Sequence, residues 1–172
     1  MADFVLRGAT LVFPDREPAR GDVLVIDGRI EALLAPGEAA PEGIAEQRAD
    51  GLHVFPGCID AHVHFGFGEK ITEYSTETVY AAQGGITTIL GYFLNNEAYA
   101  DVYKREQDYA RPRMHVDYGF HFSTANELHI EELDRYVRDY GVTSFKYFMN
   151  FKGEEGRYLG LDGTDDGFFH DL

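Results

Sequence analysis

The strongest constraint on the fold is a change of rhythm at His53. From there apolar, β-prone runs at 53–64, 86–93, 115–122 and 142–149 alternate with longer stretches of helical character. The spacing predicts a helix over 72–83 that stops at Gly84-Gly85. A second, over 96–109, opens on Asn96 and ends before Arg111-Pro112. A third begins near Thr124, with Glu127 placed for a capping box. Its Leu133, Tyr136, Val137 and Tyr140 form one apolar stripe, closed by Gly141. Thr164-Asp165-Asp166-Gly167 then opens a further helix. Such alternation implies an α/β fold with a parallel sheet and helices outside it. Four βα units are half of a closed (β/α)8 barrel, which takes about 250 residues. The chain is therefore expected to be either a small open sheet or part of a barrel.

Residues 1–52 follow another pattern. Phe4-Val5-Leu6 and Thr10-Leu11-Val12-Phe13 are β-prone runs flanking Arg7-Gly8-Ala9. Val23-Leu24-Val25-Ile26 meets Asp27-Gly28, a hairpin signal, and 29–34 returns. The stretch 35–50, rich in Ala, Gly, Pro and Glu, reads as loop. These elements make a small all-β unit, too small to stand alone. The domain division expected is thus 1–52 and 53–172.

Charge narrows the partners. Thirty acidic residues against 15 basic give −15, which argues against nucleic acid and against anionic membranes. No apolar run approaches the roughly 20 residues of a membrane span, and Met1-Ala2-Asp3-Phe4 lacks signal-peptide character. Cys58 is the single cysteine, so no disulfide framework exists and a cytoplasmic setting is expected. Beside Ile59 it reads as a small buried residue.

Chemistry gathers first in Phe55–Phe65, F-P-G-C-I-D-A-H-V-H-F. Alternate residues of a strand share a face, so His62 and His64 point the same way with Asp60 behind them. Two imidazoles on one strand are half of a metal site; they are equally a pair of core or surface histidines. Lys146 lies in the apolar run Thr143-Ser144-Phe145-Lys146-Tyr147-Phe148-Met149. Burying an unpaired ammonium costs several kcal/mol. Lys146 therefore reaches a surface, meets a carboxylate, or takes up carbon dioxide as a carbamate. The last would turn a cation into an anionic ligand able to bridge two metal ions, zinc among those that accept such ligands. Strand ends are where such sites sit in parallel α/β folds.

Four blocks in order, P-G-C-I-D-A-H-V-H, G-G-I-T-T-I (Gly84–Ile89), D-Y-G-F-H (Asp117–His121) and G-V-T-S-F-K-Y-F-M-N-F-K (Gly141–Lys152), resemble the amidohydrolase superfamily. Within it they are similar to the dihydropyrimidinase and hydantoinase branch of cyclic amidohydrolases. The resemblance implies the N-terminal half of a metal-dependent (β/α)8 barrel preceded by part of a small β-sandwich. It assigns two divalent ions, most often zinc, to His62, His64 and Lys146 as N6-carboxylysine. Two further histidines, an aspartate acid/base and therefore the catalytic residues proper would lie beyond Leu172; His170 comes too early to be one of them. It also implies a small cyclic amide as substrate, homo-oligomerisation of the full-length protein, and an inactive isolated fragment. Hydantoinases carry a tyrosine where this chain has Phe151, and dihydroorotases an arginine where it has Gly66.

Three positions have two readings each. His121 faces the pocket or is a hydrogen-bonded core histidine. Asp60 orients a metal-bound histidine or holds the adjacent loop. Asn95 and Asn96 contact substrate or cap a helix. The leading functional expectation is a hydrolase acting on a ring amide, imide or ureide C–N bond. The alternatives are a non-catalytic dihydropyrimidinase-related protein acting through protein contacts, a dihydroorotase-like enzyme, and a half-barrel functional by itself.

Overall fold

The computed structural model of the chain describes residues 2–66, 68–150, 154–158 and 164–172. The chain forms two compact units, Met1–Pro56 and Gly57–Leu172.

The first unit is a mixed sheet of β1 (Phe4–Leu11), β2 (Ala19–Ile26), β3 (Arg29–Leu34), β4 (Ala45–Arg48) and β5 (His53–Val54). Its order is β3-β2-β1-β4, with β5 also on β1. β2 runs antiparallel to β1 and β3, whereas β4 and β5 run parallel to β1. Asp27 and Gly28 join β2 to β3 with φ of 48° and 73°, the left-handed pair that suits strand twist in a tight hairpin. The runs expected at 4–6 and 10–13 form one strand. Gly8, at φ 77°, absorbs a bulge between Leu6 and Ala9 where a turn was expected. β4 arises inside the expected loop; its four residues are all exposed, so no apolar pattern announces it.

Arg7 ties this sheet together. Its Nε and Nη2 donate to Glu46 Oε1 on β4 at 3.0 and 2.8 Å, and its Nη1 donates to Asp22 Oδ2 at 2.8 Å and the Glu38 carbonyl at 2.7 Å. Asp22 is buried and also accepts the backbone N–H groups of Gly8 and Gly37. Burial raises the Asp22 pKa, but these N–H donors and Arg7 outweigh it and hold the carboxyl below its ordinary value.

The second unit is an all-parallel sheet with the order β6 (Cys58–Val63), β7 (Ile86–Phe93), β8 (Asp117–Ser123) and β9 (Phe145–Lys146). Helices α1 (Lys70–Gln83), α2 (Tyr99–Ala110), α3 (Glu127–Glu131) and α4 (Leu133–Tyr140) connect the strands, and α5 (Glu154–Tyr158) and α6 (Asp166–Asp171) follow. Phe93, Phe120 and Phe122 point to the helices and bury against Tyr99, Val102 and Tyr136; Phe65 and Ile89 do so against Tyr74 and Ala110. Alternation then turns Tyr92, His121 and Ser123 to the opposite, inner face. Among the described residues no helix is long and apolar enough to cross a membrane.

Several expected boundaries move. The run 53–64 is two strands, because Pro56-Gly57 ends one sheet and starts the other; a side chain at 57 would collide with Thr87. Only Phe145–Lys146 of 142–149 pairs as strand, having a neighbour on one side alone. α2 starts at Tyr99, after Ala98, and Asn96 does not cap it. The third helix breaks at Glu132, and its cap is Asn126, accepting from His129 N–H at 3.1 Å, where Thr124 was expected. Gly141 closes α4 at φ 68°, as its position predicts, and Asp165 caps α6 through Phe168 N–H. Cys58, expected to be buried, is exposed on the edge strand β6.

Candidate active site

His62 and His64 converge. Their Nε2 atoms stand 3.1 Å apart, and both side chains are exposed at the end of β6. The strand does not reach them in even alternation, because a register shift between Asp60 and Val63 adds a residue against β7. Bulges of this kind re-aim side chains. Asp60 is drawn into the bulge: its Oδ1 accepts the backbone N–H of His62 at 3.0 Å. Asp60 thus holds the backbone that carries the histidines.

The loop that follows is fixed from α1. Glu73 accepts the N–H groups of Gly66 and Gly68 at 2.5 and 3.1 Å. Gly66 sits at φ 77°, and a Cβ there would lie 2.6 Å from the Tyr74 ring. No larger residue fits in this conformation.

Tyr92 forms the floor between the strands. Its ring centroid is 4.8 Å from His62, 4.7 Å from His64 and 5.1 Å from His121, its register partner on β8. Lys146 Nζ lies 5.1 Å from the same ring and 5.0 Å from that of Phe148. Lys146 is half-buried; its carbonyl accepts Thr124 N–H at 2.9 Å, which anchors the short β9. Burial, then His62, then Lys146 push the His64 imidazole below its ordinary pKa. The cluster is electropositive.

His121 braces the sheet. Its Nε2 donates to the Ala61 carbonyl at 2.9 Å, across β7, and its Nδ1 accepts from Ser144 Oγ at 2.5 Å. Both ring nitrogens are hydrogen-bonded, and the half-buried ring is turned to the inner face against Tyr92. The span from β8 to β6 also shows that the sheet is curled. Asn95 Oδ1 accepts Glu97 N–H at 2.9 Å, and the Asn96 carbonyl accepts from Asn126 Nδ2 at 3.1 Å. The Asn95 side chain and the Asn96 backbone thus serve loop geometry. His170 is exposed on α6 beside Asp171. Phe151 lies outside the described residues. Sequence reasoning brought His62, His64 and Lys146 forward and missed Tyr92 and Ser144; strand parity with Leu90 was the available signal for Tyr92.

The chain is similar to a D-hydantoinase of Streptomyces coelicolor, 35% identical over 163 residues, 87% of this chain and 34% of that protein. The chain is similar to the hydantoinases over that third of their length. An allantoinase of Deinococcus radiodurans is 34% identical over 156 residues, 88% of this chain and 34% of its own length. Among solved structures, the L-hydantoinase (dihydropyrimidinase) of Arthrobacter aurescens matches this chain with a TM-score of 0.81 at 25% identity, covering 99% of this chain and 37% of that one. No family model matches the chain. The chain spans about a third of the length of these relatives.

Proposed function

We propose that this chain supplies one wall of a binuclear metal site in an enzyme that hydrolyses a cyclic amide, imide or ureide C–N bond. The observation that supports it most is the convergence of His62 and His64 Nε2 to 3.1 Å, beside Lys146 on the shared Tyr92 floor. The donor types suit a borderline divalent ion.

Electrostatics adds a condition. Among the described residues no group of three or more His, Cys, Asp or Glu side chains is gathered for a metal. His62, His64 and Lys146 together bring no negative charge. His62, His64 and Lys146 would hold a divalent ion once Lys146 had exchanged its positive charge for a carbamate, which would add anionic oxygen donors. When bound, the metals would supply a water ionised near neutral pH for attack on the ring carbonyl. The chain's own residues bind and orient: His62 and His64 through Nε2, Asp60 by fixing the bulge, Glu73 by holding the loop at Gly66.

The ring classes in the relatives' names, hydantoin, dihydropyrimidine and allantoin, define the substrates to test. Dihydroorotate is disfavoured, because Gly66 packs on Tyr74 where a guanidinium would be needed. A purely protein-binding role would not require the converging imidazoles. A cytoplasmic homo-oligomer is the setting expected of such an enzyme.

The isolated 172-residue chain is expected to bind zinc weakly and to leave hydantoin and dihydrouracil unhydrolysed. A polypeptide joining it to the remaining βα units should hydrolyse one of these rings, lose activity to chelator and regain it with zinc. Native mass spectrometry in bicarbonate should find the added mass of carbon dioxide on Lys146. His62→Ala should lower turnover by more than about 100-fold, beyond what an outer partner of a metal ligand costs. Undiminished turnover in that variant, or full metal loading without the added mass, would overturn the assignment.

A further inference from the structure

The peptide between Ala61 and His62 stands outside the strand register. β6 and β7 pair through Asp60 with Ile89 and Val63 with Gly91, and neither Ala61 nor His62 has a register partner. Two side chains take up the polar groups of this peptide. Asp60 Oδ1 accepts its N–H, that of His62, at 3.0 Å, and His121 Nε2 donates to its carbonyl, that of Ala61, at 2.9 Å. The orientation of a bulged peptide decides where its side chain points, so both groups act on the His62 ring. A carbonyl can only accept, so His121 Nε2 carries the proton, and Nδ1 accepts from Ser144 Oγ at 2.5 Å. Ser144 stands two residues before Lys146, at the entry to β9. Between these two bonds the His121 ring lies against Tyr92 of β7 at 5.1 Å. A phenylalanine would cover Tyr92 equally well. Only a ring with a donor on one side and an acceptor on the other also joins Ala61 to Ser144.

We propose that His121 is a positioning residue that sets the spacing between the two halves of the metal-binding wall, His62 and His64 at the end of β6 and Lys146 on β9. This inference rests on the metal-site reading above. β6 and β9 are the two edges of the four-stranded sheet and share no backbone ladder. His121, on β8, links them through two hydrogen bonds, one beside His62 and one two residues from Lys146. It acts through these neighbours, with both nitrogens already engaged, and takes no part as a ligand.

The experiment compares His121→Phe and Ser144→Ala with the unsubstituted protein, in the polypeptide used to measure hydrolysis. Zinc affinity is read by competition with a chelator, the carbon dioxide mass on Lys146 by native mass spectrometry, and kcat and KM alongside. His121→Phe keeps a ring against Tyr92 and removes both hydrogen bonds. It is expected to bind zinc on the order of 10-fold more weakly, the low end of what an outer partner of a metal ligand costs. At limiting zinc it should also carry less of the added mass. Ser144→Ala cuts only the link toward β9 and should shift zinc affinity in the same direction by a smaller factor. Unchanged zinc affinity and added mass in both variants overturn the proposal, whatever happens to the denaturant midpoint, and leave His121 a packing residue. Intact zinc binding with a raised KM or a lowered kcat overturns it too, because His121 would then act on the substrate. Should His121→Phe fail to fold, Ser144→Ala decides alone, and an unaltered zinc affinity there overturns the proposal. No zinc bound by the unsubstituted protein overturns the metal-site reading itself, which is distinct from equal zinc affinity in all three proteins.

Discussion

Arg7 in the first sheet and Lys146 in the second are both cations on β-strands, and the chain treats them in opposite ways. Arg7 meets Asp22, Glu46 and the Glu38 carbonyl; Asp22 Oδ2 also accepts Gly37 N–H, and its Oδ1 accepts Gly8 N–H. Lys146 meets aromatic rings and the electrostatic field of His64, itself a group that gains a positive charge when protonated. The first arrangement satisfies its charges internally and stabilises a small sheet. The second sets a cation against aromatic rings, with no carboxylate among its described contacts. Cations paired with carboxylates belong to the fold; one placed this way at a strand end is a candidate for function.

Substitutions at the two cations' surroundings separate these roles most sharply. Lys146→Met should abolish ring hydrolysis in the completed enzyme, while the denaturant midpoint of the chain stays the same or rises, because a like-charge neighbour of His64 is removed. Asp22→Ala should lower stability by ~3 kcal/mol, since it strands the Gly8 and Gly37 N–H groups and half of the Arg7 fork. Urea unfolding followed by circular dichroism measures both. A midpoint loss for Lys146→Met as large as that for Asp22→Ala would erase the contrast.

The histidines extend the comparison. His62 and His64 are exposed, whereas His129 is fully buried, stacked on Tyr99 at 4.1 Å. Its Nδ1 accepts Ala125 N–H at 3.1 Å and its Nε2 donates to the Glu97 carbonyl at 3.0 Å. Burial lowers its pKa, against the opposing pull of the Glu97 carbonyl and Glu132. The unfolded chain therefore takes up the proton first as pH falls. The stability due to neutral His129 is full above its unfolded value of about 6.5 and is lost as pH drops from there toward the folded value. Thermal unfolding between pH 8 and 5 should show this slope in the wild type and not in His129→Gln. Parallel curves for the two would show that His129 is not the source.

Legibility in the sequence followed the range of the interactions. Period-two alternation was enough to set His62 and His64 on one face, and the βα rhythm was enough for a parallel second sheet. The bulge at Asp60 was not legible, because a register slip depends on the partner strand and leaves no periodic trace. β4 was hidden for a similar reason: Ala45-Glu46-Gln47-Arg48 has no apolar face and is held by Arg7, 39 residues away. Tyr92 was hidden by its surroundings in Ile86–Phe93, where an aromatic residue looks like core. Only the curl of the sheet, seen in His121 reaching Ala61, reveals that its ring faces four polar groups.

The smallest expected effect tests whether the unpaired side of the comparison reaches below Lys146. Ser123 is the register partner of Lys146, its side chain is fully buried, and its Oγ has no hydrogen-bond partner among the described residues. Tyr99 engages only its carbonyl. If the hydroxyl is truly unsatisfied in the folded chain, Ser123→Ala removes a desolvated donor and acceptor without opening a cavity large enough to matter. Stability should then stay level or rise by up to about 1 kcal/mol. A loss of more than that in urea unfolding would mean that a bound water satisfies Ser123 in solution. The inner face would then have its own compensation at this depth, below the strand end where Lys146 sits.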